Sequence, residues 1–262
     1  MNFFQDKTAL ITGATSGIGY ALANQLAAKG LGKLILLGRR KERLENLSKK
    51  LLVEFGKDKI QIFCIELDIR DKEKIELALN NLPSEFKNIN ILINNAGLAL
   101  SSDPIQKGNP DDWDIVIDTN LKGLLYMTHA VLPGLVERNS GHIVNISSVA
   151  GHEVYPGGNI YCATKHAVRA LSKSLRVDLL GTNIRVTDIA PGAVQTEFSE
   201  VRWKDKAKSD NFYAQFDPLK PEDIADAIVY ALSCPAHVNI AEIVLYPTQQ
   251  ASTNHLYKPR MI

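Results

Sequence analysis

The stretch TALITGATSGIG, residues 8–19, joins a short apolar run to three closely spaced glycines. The run is typical of a buried strand, and the amphipathic stretch that follows at 17–29 is typical of a helix. Glycines at such a junction serve a tight turn, close approach of a pyrophosphate and close helix packing, and the helix N-terminus attracts phosphate. The spacing here is G-x-x-x-G-x-G, which is neither G-x-G-x-x-G nor a Gly-Lys-Ser/Thr phosphate loop. We predict a dinucleotide phosphate site, as opposed to a plain structural turn, formed by Gly13, Thr15, Ser16, Gly17, Ile18 and Gly19.

Short apolar runs alternate with longer amphipathic stretches along the whole chain. Strands are predicted at 8–12, 33–37, 61–67, 91–94, 142–146, 185–189 and 242–245. Helices are predicted near 17–29, 41–55, 71–81, 111–136, 160–180 and 221–233. This alternation favours a parallel sheet covered by helices, and no Pro/Gly/Ser-rich linker divides the chain. We expect one α/β domain over residues 1–262, a Rossmann-type doubly wound parallel sheet of about seven strands with helices on both faces.

Two segments depart from this pattern. Residues 193–219 are polar, carry Trp203 and Phe212 among charges, and are long for a loop. Because loops of that length are often functional, we predict a substrate lid there. The C-terminal tail, residues 247–262, is rich in Gln and Asn and looks too polar to fold alone. We hypothesise that this tail docks on a neighbouring subunit.

Composition and charge narrow the class of protein. The sequence is 45% hydrophobic and 23% charged, as in ordinary globular proteins, and its net charge of +1 gives nucleic acid or an anionic membrane no bulk attraction. Cys64, Cys162 and Cys234 form no CxxC pair, which fits a reducing compartment and argues against a metal site. Neither a signal peptide nor an apolar run of about 18 residues is evident. We therefore expect a cytoplasmic protein without a metal.

The ends of the second and third strands indicate which dinucleotide binds. A cofactor with a free ribose 2′-hydroxyl normally meets Asp or Glu after the second strand, but Arg39 and Arg40 stand there. Guanidinium groups suit phosphate, so we favour NADP over NAD, the alternative being a basic first turn of an exposed helix. Asp68, which precedes Ile69 at the end of the third strand, is a candidate acceptor for the adenine amino group. Its alternative role is to cap the helix that starts near Asp71.

Tyr161 and Lys165 lie four residues apart in a predicted helix and therefore on one face of it. A phenol with a pKa of about 10 is a poor acid or base near neutral pH, and a neighbouring cation lowers that pKa. Lowering it to about 7 takes roughly 4 kcal/mol, which one lysine and a cofactor cation could supply. Taken alone, the spacing is equally that of a solvated surface pair.

Further motifs occur in a fixed order between the glycines and the Tyr161/Lys165 pair. They are NNAG at 94–97, Asn120 and Ser147-Ser148. With this order and spacing the chain, from about residue 7 to its end, resembles the short-chain dehydrogenase/reductase family. The resemblance implies a Rossmann-type fold, a nicotinamide cofactor and oxidoreductase activity.

A narrower resemblance is carried by NNAGLAL at 94–100, RVTDI at 185–189 and TEFSEVR at 196–202. These stretches are similar to the bacterial NADP-dependent 3-hydroxy acid dehydrogenases, a group that includes serine or allo-threonine dehydrogenase and malonic semialdehyde reductase. The chain departs from that group at SSV, residues 147–149, where Gly-Ser-Thr is expected. It departs again at HEV, residues 152–154, close to the expected substrate pocket.

The family resemblance implies a role for each of these residues. Tyr161 would be the general acid/base on the substrate's 3-oxygen, and Lys165 would lower its pKa and bind the nicotinamide ribose. Ser148, 13 residues before the tyrosine, would polarise the same oxygen. Asn120 would hold a water that links Lys165 to solvent, or is simply a polar residue that ends a helical turn. The remaining cofactor contacts that the resemblance implies are Asn95, Ala96, Gly97, Pro191, Gly192, Val194 and Thr196.

The substrate is the least determined part of this interpretation. Arg202, in the predicted lid, is the candidate partner for a substrate carboxylate, the alternative being an exposed loop arginine. We predict an NADP-dependent oxidoreductase acting on a small 3-hydroxy acid of the serine, allo-threonine or 3-hydroxypropionate type. The alternatives are a reductase of 3-oxoacyl thioesters, sugars or steroids, and a non-catalytic NADP-binding sensor. The resemblance also implies a homotetramer packed through the fourth and fifth helices and the last strand.

Overall fold

The computed structural model describes residues 4–259, and a single seven-stranded sheet runs through them. Every strand pair is parallel, and the order across the sheet is β3-β2-β1-β4-β5-β6-β7. The strands are β1 Thr8–Thr12, β2 Lys33–Gly38, β3 Gln61–Glu66, β4 Ile91–Asn94, β5 Gly141–Ile146, β6 Ile184–Pro191 and β7 Glu242–Leu245. The predicted α/β fold with seven parallel strands is therefore confirmed. The first and last three residues of the expected 1–262 domain lie outside the described part of the chain.

Helices cover both faces of the sheet. They are α1 Gly17–Ala28, α2 Lys41–Phe55, α3 Lys72–Asn80, α4 Pro110–Ile117, α5 Leu124–Glu137, α6 Asn159–Asp178, α7 Phe198–Trp203, α8 Lys206–Tyr213 and α9 Pro221–Ser233. Successive strand residues point to opposite faces, so neighbouring residues of β1 enter different cores. Ile11 packs in the core that contains apolar residues of α1, α2 and α9, whereas Leu10 packs in the core that contains those of α3 and α5.

The order of the strands creates a crevice at the carboxyl end of the sheet. The chain runs outward from β1 through β2 to β3, then returns to lay β4 on the other side of β1. The connections after β1 and β4 therefore diverge, and ligands of open α/β sheets bind in the crevice that this leaves. The glycine-rich stretch follows β1 and NNAG ends β4, so the topology brings both motifs to this crevice.

The predicted helix at 111–136 is wrong in one detail. The structure has α4, then a π-helical turn at Asp118–Gly123, then α5. This turn carries Asn120, whose side-chain amide exchanges hydrogen bonds of 2.9 and 2.8 Å with the backbone N–H and C=O of Leu98. Single π-helical turns inside α-helices are frequent at functional sites. The periodicity of the sequence did not reveal this turn because helical residues flank it on both sides.

The segment predicted as a lid contains the two short helices α7 and α8, and its two ends are joined by a parallel bridge between Val194 and Leu219. The described part of the tail packs on its own chain, since Gln250 Oε1 accepts a 2.9 Å hydrogen bond from Ala193 N. Docking of this tail on a neighbouring subunit stays a prediction. None of the helices within residues 4–259 is long and apolar enough to cross a membrane.

Candidate active site

The glycine-rich turn brings backbone atoms close together at the end of β1. Gly13 has φ +69°, and a Cβ added to it would lie 2.9 Å from Ala96 Cα. At Gly19 an added Cβ would lie 2.5 Å from the carbonyl oxygen of Gly13. Ser16, the N-cap residue of α1, makes no side-chain cap, so the first amides of α1 remain open for an anion. This cradle has the shape and the dipole that a pyrophosphate requires.

The arginines after β2 differ in their surroundings. Arg40 donates hydrogen bonds to Thr15 Oγ1 at 2.9 Å and to Ser16 Oγ at 2.8 Å, so its guanidinium lies against the cradle. It also pairs at 2.7 Å with Glu197, a residue from the far side of the crevice. Partial burial works to raise the pKa of the Glu197 carboxyl, but hydrogen bonds from Arg40 and Arg43 outweigh burial and hold it below its usual value. Arg39 lines the same cavity with an exposed side chain.

Asp68 lies in the cavity wall beside Ile69. The helix-cap alternative for Asp68 is wrong, because Asp71 caps α3 by accepting a hydrogen bond from Lys74 N. Asp68 instead pairs with Arg70 at 2.7 Å. Partial burial raises the pKa of the Asp68 carboxyl, but the hydrogen bonds from Arg70 prevail and leave it below its usual value. Asp68 is therefore a charged acceptor at neutral pH.

Thr12 links the loop after β4 to the cradle. Its Oγ1 accepts 3.0 Å hydrogen bonds from the backbone N–H of both Asn95 and Ala96. Asn95 Nδ2 donates in return to Thr12 O at 2.9 Å and to Gly13 O at 3.2 Å. The positions of Asn95, Ala96 and Gly97 along the cavity wall are thus set by contacts with the end of β1.

Tyr161 and Lys165 face the bottom of the cavity from α6. Lys165 is only 6% exposed; its Nζ donates to Ile146 O at 2.8 Å and lies 5.8 Å from the centre of the Tyr161 ring. The surface-pair alternative is therefore wrong. Burial lowers the pKa of Lys165 to about 8, against the opposing charge of Asp188.

The pKa of the Tyr161 phenol depends on groups other than Lys165. Burial, with the neighbouring Tyr155 adding to it, raises the pKa of Tyr161, so its lowering by Lys165 together with a cofactor cation stays a prediction. The physical reason for the rise is that packing around the phenol removes much of its contact with water, which penalises the phenolate. Groups that oppose this effect are the Ser148 hydroxyl, by hydrogen bonding, and the charge of Arg202.

The two serines after β5 have different partners. Ser148 Oγ accepts a 3.1 Å hydrogen bond from Ala150 N and donates at 3.3 Å to Pro191 O, and its hydroxyl is close enough to the Tyr161 phenol to lower the pKa of that phenol. The Ser147 hydroxyl donates at 3.2 Å to Ile189 O in β6 and so points towards the sheet. Asn120 lies behind the wall: a Cβ on Gly97 would be 3.2 Å from its Oδ1 and 3.5 Å from Lys165 Nζ.

Arg202 reaches the cavity from α7 with a half-buried side chain. Its guanidinium donates to Ser101 O at 3.0 Å, to the Tyr155 hydroxyl at 2.8 Å and to Gly157 O at 3.0 Å. It lies 6.0 Å from the centre of the Tyr161 ring. The alternative of an exposed loop arginine is therefore wrong. A guanidinium has five N–H groups, so donors remain for an anion held next to the phenol.

These groups share one cavity of about 620 Å³ that runs from the glycine cradle to Tyr161. Gly19 and Asn120 stand behind its lining, which includes the other candidates: Gly13, Thr15, Ser16, Gly17, Ile18, Arg39, Arg40, Asp68, Ile69, Asn95, Ala96, Gly97, Ser148, Tyr161, Lys165, Pro191, Gly192, Val194, Thr196 and Arg202. The lining also contains residues that sequence reasoning missed, among them Thr119, Tyr155, Phe198, Gln250 and Thr253.

Thr119 supports the fit of a polar ligand to this cavity. Its hydroxyl is buried, and it has no hydrogen-bond partner among residues 4–259. Such a group normally has a partner, so a ligand group or a bound water is expected there. The place of Thr119 beside Asn120 in the π-helical turn was the signal that could have identified it. An uncapped helix start, a glycine cradle and a free hydroxyl together fit a dinucleotide.

Comparisons with known proteins agree with this geometry. Residues 7–207 match the short chain dehydrogenase family model. The chain is 48% identical to the NADP-dependent 3-hydroxy acid dehydrogenase of Escherichia coli, over 92% of this chain and 95% of that protein. It is 46% identical to sulfoacetaldehyde reductase 2 of Chromohalobacter salexigens, over 92% and 94% of the two chains. The closed form of a serine dehydrogenase complexed with NADP+ matches with a TM-score of 0.88 and 48% identity, covering 93% of this chain and 96% of that one.

Proposed function

The chain belongs to the short-chain dehydrogenase family, and on that premise we propose that it is an NADP-dependent oxidoreductase that transfers a hydride between NADP(H) and C3 of a small 3-hydroxy acid. The observation that carries the proposal is the single cavity that joins the glycine cradle to the Tyr161 phenol and the Arg202 guanidinium. A dinucleotide site, a proton-transfer group and an anion site are the three parts that such a reaction needs.

The proposed NADP site rests on charge and backbone geometry. The open amides at the start of α1 and the glycine turn suit the pyrophosphate. Arg40, which already rests on Thr15 and Ser16, suits the 2′-phosphate that distinguishes NADP from NAD. The 3-hydroxy acid dehydrogenase of Escherichia coli is NADP-dependent by name, and the serine dehydrogenase structure contains NADP+.

Proton transfer is assigned to the Tyr161 phenol. In oxidation Tyr161 takes the proton of the substrate hydroxyl, and in reduction it returns that proton. The Ser148 hydroxyl lies beside the same phenol and would donate to the reacting oxygen by turning away from its 3.3 Å contact with Pro191 O. A nicotinamide held by the cradle would supply the hydride acceptor or donor and, when oxidised, a positive charge. Such a charge would favour the Tyr161 phenolate and so act against the effect of burial on the pKa of Tyr161.

The proposed substrate class rests on Arg202. Its guanidinium lies over the Tyr155 and Tyr161 rings, so an anion bound to its remaining donors would be held near the phenol. Arginine binds carboxylate through parallel N–H donors. A sulfonate is also an anion at the end of a short chain, and a relative named for sulfoacetaldehyde fits the same arrangement. A small acid whose hydroxyl-bearing carbon lies two bonds from the carboxylate carbon or sulfonate sulfur is the substrate class that this arrangement favours.

Assembly into a homotetramer is part of the proposal. The fourth and fifth predicted helices, at 111–136 and 160–180, correspond to α4 with α5 and to α6. Of these, α5 and α6 expose large apolar side chains in the monomer. They include Leu125 and Val136 on α5, and Val177 at 73% exposure on α6, with Leu180 just beyond its end. Surfaces of this kind commonly become buried against a partner.

The test compares substrates side by side with wild-type protein. NADP-linked oxidation of L-serine, L-allo-threonine, 3-hydroxyisobutyrate and 3-hydroxypropionate is measured, together with NADPH-linked reduction of an acetoacetyl thioester. We expect turnover of at least one hydroxy acid and none with Tyr161→Phe. Reduction of the thioester alone would support the ketoreductase alternative. Binding of NADPH without turnover of any compound would support the sensor.

Arg202→Ala tests the anion site within the same assay. Loss of a charge-assisted hydrogen bond costs about 1.5–3 kcal/mol, so KM for the hydroxy acid should rise roughly 10-fold to 150-fold. KM for NADP should barely move, and Arg202→Lys should fall between the two. The control is Lys204→Ala, which removes a neighbouring cation whose Nζ lies 3.9 Å from Asp112. Equal kinetics for Arg202→Ala and Lys204→Ala would remove Arg202 from the site.

A further inference from the structure

A row of polar residues crosses the sheet below the active site. Asn94 of β4, Asn145 of β5, Asp188 of β6 and Glu242 of β7 are paired in register, one strand after the next. Residues in register on parallel strands face the same side. Asn94 Nδ2 donates to Asn145 Oδ1 at 2.9 Å, and Asn145 Nδ2 donates at 2.9 Å to Ser172 Oγ of α6. The row therefore lies on the face that α6 covers.

Asp188 is the member of this row without a partner. It is 1% exposed, and within residues 4–259 neither of its carboxylate oxygens receives a hydrogen bond. The Ser147 hydroxyl is within reach of the carboxylate, but its single proton is directed to Ile189 O. Burying a carboxylate is costly unless a charge or a donor compensates it. The buried Asp188 carboxylate therefore needs a nearby positive charge to compensate it.

Charged and titratable groups face Asp188 from three directions. Lys165 reaches this place from α6, because its Nζ donates to the carbonyl oxygen of Ile146, the residue after the Asn145 that pairs with Asp188. Glu242 is paired with Asp188 on β7, and His152, in the turn after β5, lies against Glu242. Glu242 is compensated by Arg169, whose Nε donates to it at 2.9 Å. His152 Nε2 also lies 2.9 Å from Glu242, although the contact is poorly aligned for a hydrogen bond. Since Arg169 is engaged by Glu242, the Lys165 ammonium is the cation available to Asp188.

We propose that Asp188 is a positioning residue for Lys165, holding its ammonium group from behind the active site with a buried negative charge. The Lys165 ammonium donates to Ile146 O, and an ammonium has three N–H donors and no acceptor. A carbonyl supplies only a dipole, whereas Asp188 supplies a full charge in surroundings that water cannot screen. The inference rests on the proposed function for its link to catalysis, but the charge coupling itself does not.

The pKa shifts agree with this geometry. Burial lowers the pKa of Lys165 to about 8, and the opposing influence is the charge of Asp188. Burial raises the pKa of Asp188, and Lys165 and His152 oppose that rise. The two groups therefore titrate as a coupled pair. Without Asp188, Lys165 would lose its proton at a lower pH, and with it the positive charge beside Tyr161.

Cofactor-free protein provides a test that needs no turnover. A lysine whose pKa is about 8 in the folded protein and 10.5 when fully solvated binds fewer protons folded than unfolded between these pH values, so stability rises with pH across that window. We expect the rise in melting temperature of Asp188→Asn to begin about one pH unit lower than in wild type, a tenfold change in proton affinity. In the Lys165→Met background the rise should be absent, and adding Asp188→Asn should shift the melting temperature by the same amount at every pH above 7, without restoring a rise.

The controls separate charge from packing. Asn145→Ala removes a neutral member of the same row, so it should lower the melting temperature without moving the pH at which the rise begins. Asp188→Ser serves as a second variant if Asn does not fit the site. Asp188→Asn and Asp188→Ser that only lower the melting temperature uniformly would overturn the proposal.

The kinetic arm uses the pH profile of kcat/KM. With Asp188→Asn the alkaline limb should move down by about one pH unit, whereas a purely structural role would lower the profile without shifting it. If no hydroxy acid is oxidised but the unfolding shift appears, the proposed function fails and the role of Asp188 stands. If hydroxy acids are oxidised and neither shift appears, the role of Asp188 fails alone.

Discussion

Arg40→Ala addresses how the protein distinguishes NADP from NAD. Both arginines are exposed residues of the cavity wall, but the Arg40 guanidinium donates to both cradle hydroxyls and pairs with Glu197. A guanidinium already held against the cradle can meet a 2′-phosphate without first being ordered. We therefore expect Arg40 to carry most of the preference.

The expected loss of NADPH affinity depends on the contacts that Arg40 gives up and gains when the cofactor binds. A hydrogen bond between charged groups is worth about 1.5–3 kcal/mol, but the 2′-phosphate replaces the contact that Arg40 already makes with Glu197 at 2.7 Å. The net loss in Arg40→Ala should lie near the lower limit, which is roughly a tenfold weaker Kd for NADPH. Arg39→Ala removes an exposed charge worth at most about 1 kcal/mol, or roughly fivefold.

The assay is a fluorescence titration with NADPH and with NADH at one fixed salt concentration. Arg40→Ala should weaken NADPH binding and leave NADH binding unchanged, because NADH has no 2′-phosphate. Lys41→Ala, which removes an exposed cation at the start of α2, is the matched control for net charge. Equal weakening for both dinucleotides, or a larger effect in Arg39→Ala, would refute this account of the preference.

Two further predictions concern stability. Gly19→Ala should destabilise the protein by about 1–3 kcal/mol and weaken NADPH binding, because the new Cβ would lie 2.5 Å from Gly13 O. Gly134→Ala should cost less in urea unfolding, because its Cβ would meet a side chain, the Arg138 guanidinium at 3.1 Å, and alanine favours the helix. Burial lowers the pKa of His142 to about 3. The folded protein therefore binds fewer protons than the unfolded chain below pH 6.5, and this group should cost about 2 kcal/mol between pH 7 and pH 5. The measurement is the free energy of unfolding in urea at pH 7 and pH 5, and His142→Gln should lose this difference between the two pH values. A difference as large in His142→Gln as in wild type would contradict the prediction.

The strands, the glycine cradle and the Tyr161/Lys165 face could be predicted because each depends on neighbours along the chain. A buried parallel strand is a continuous apolar run, and residues at i and i+4 share a helix face whatever surrounds them. The division between Arg39 and Arg40 was beyond such reasoning. The two are adjacent in sequence, and Arg40 differs only because Thr15, Ser16 and Glu197 come to it from other parts of the fold.

The sequence by itself determined the α/β fold, the phosphate cradle and the presence of a phenol beside an ammonium group, since local periodicity and spacing encode all three. Only the tertiary structure decided that Arg202 lies over the Tyr161 ring, that burial raises the pKa of Tyr161, and that the Asp188 carboxylate is buried next to charged groups from other elements. The physical reason is that desolvation and charge coupling depend on distances between residues remote in sequence. Those distances exist only once the sheet has brought the carboxyl ends of β1, β4, β5 and β6 to one edge.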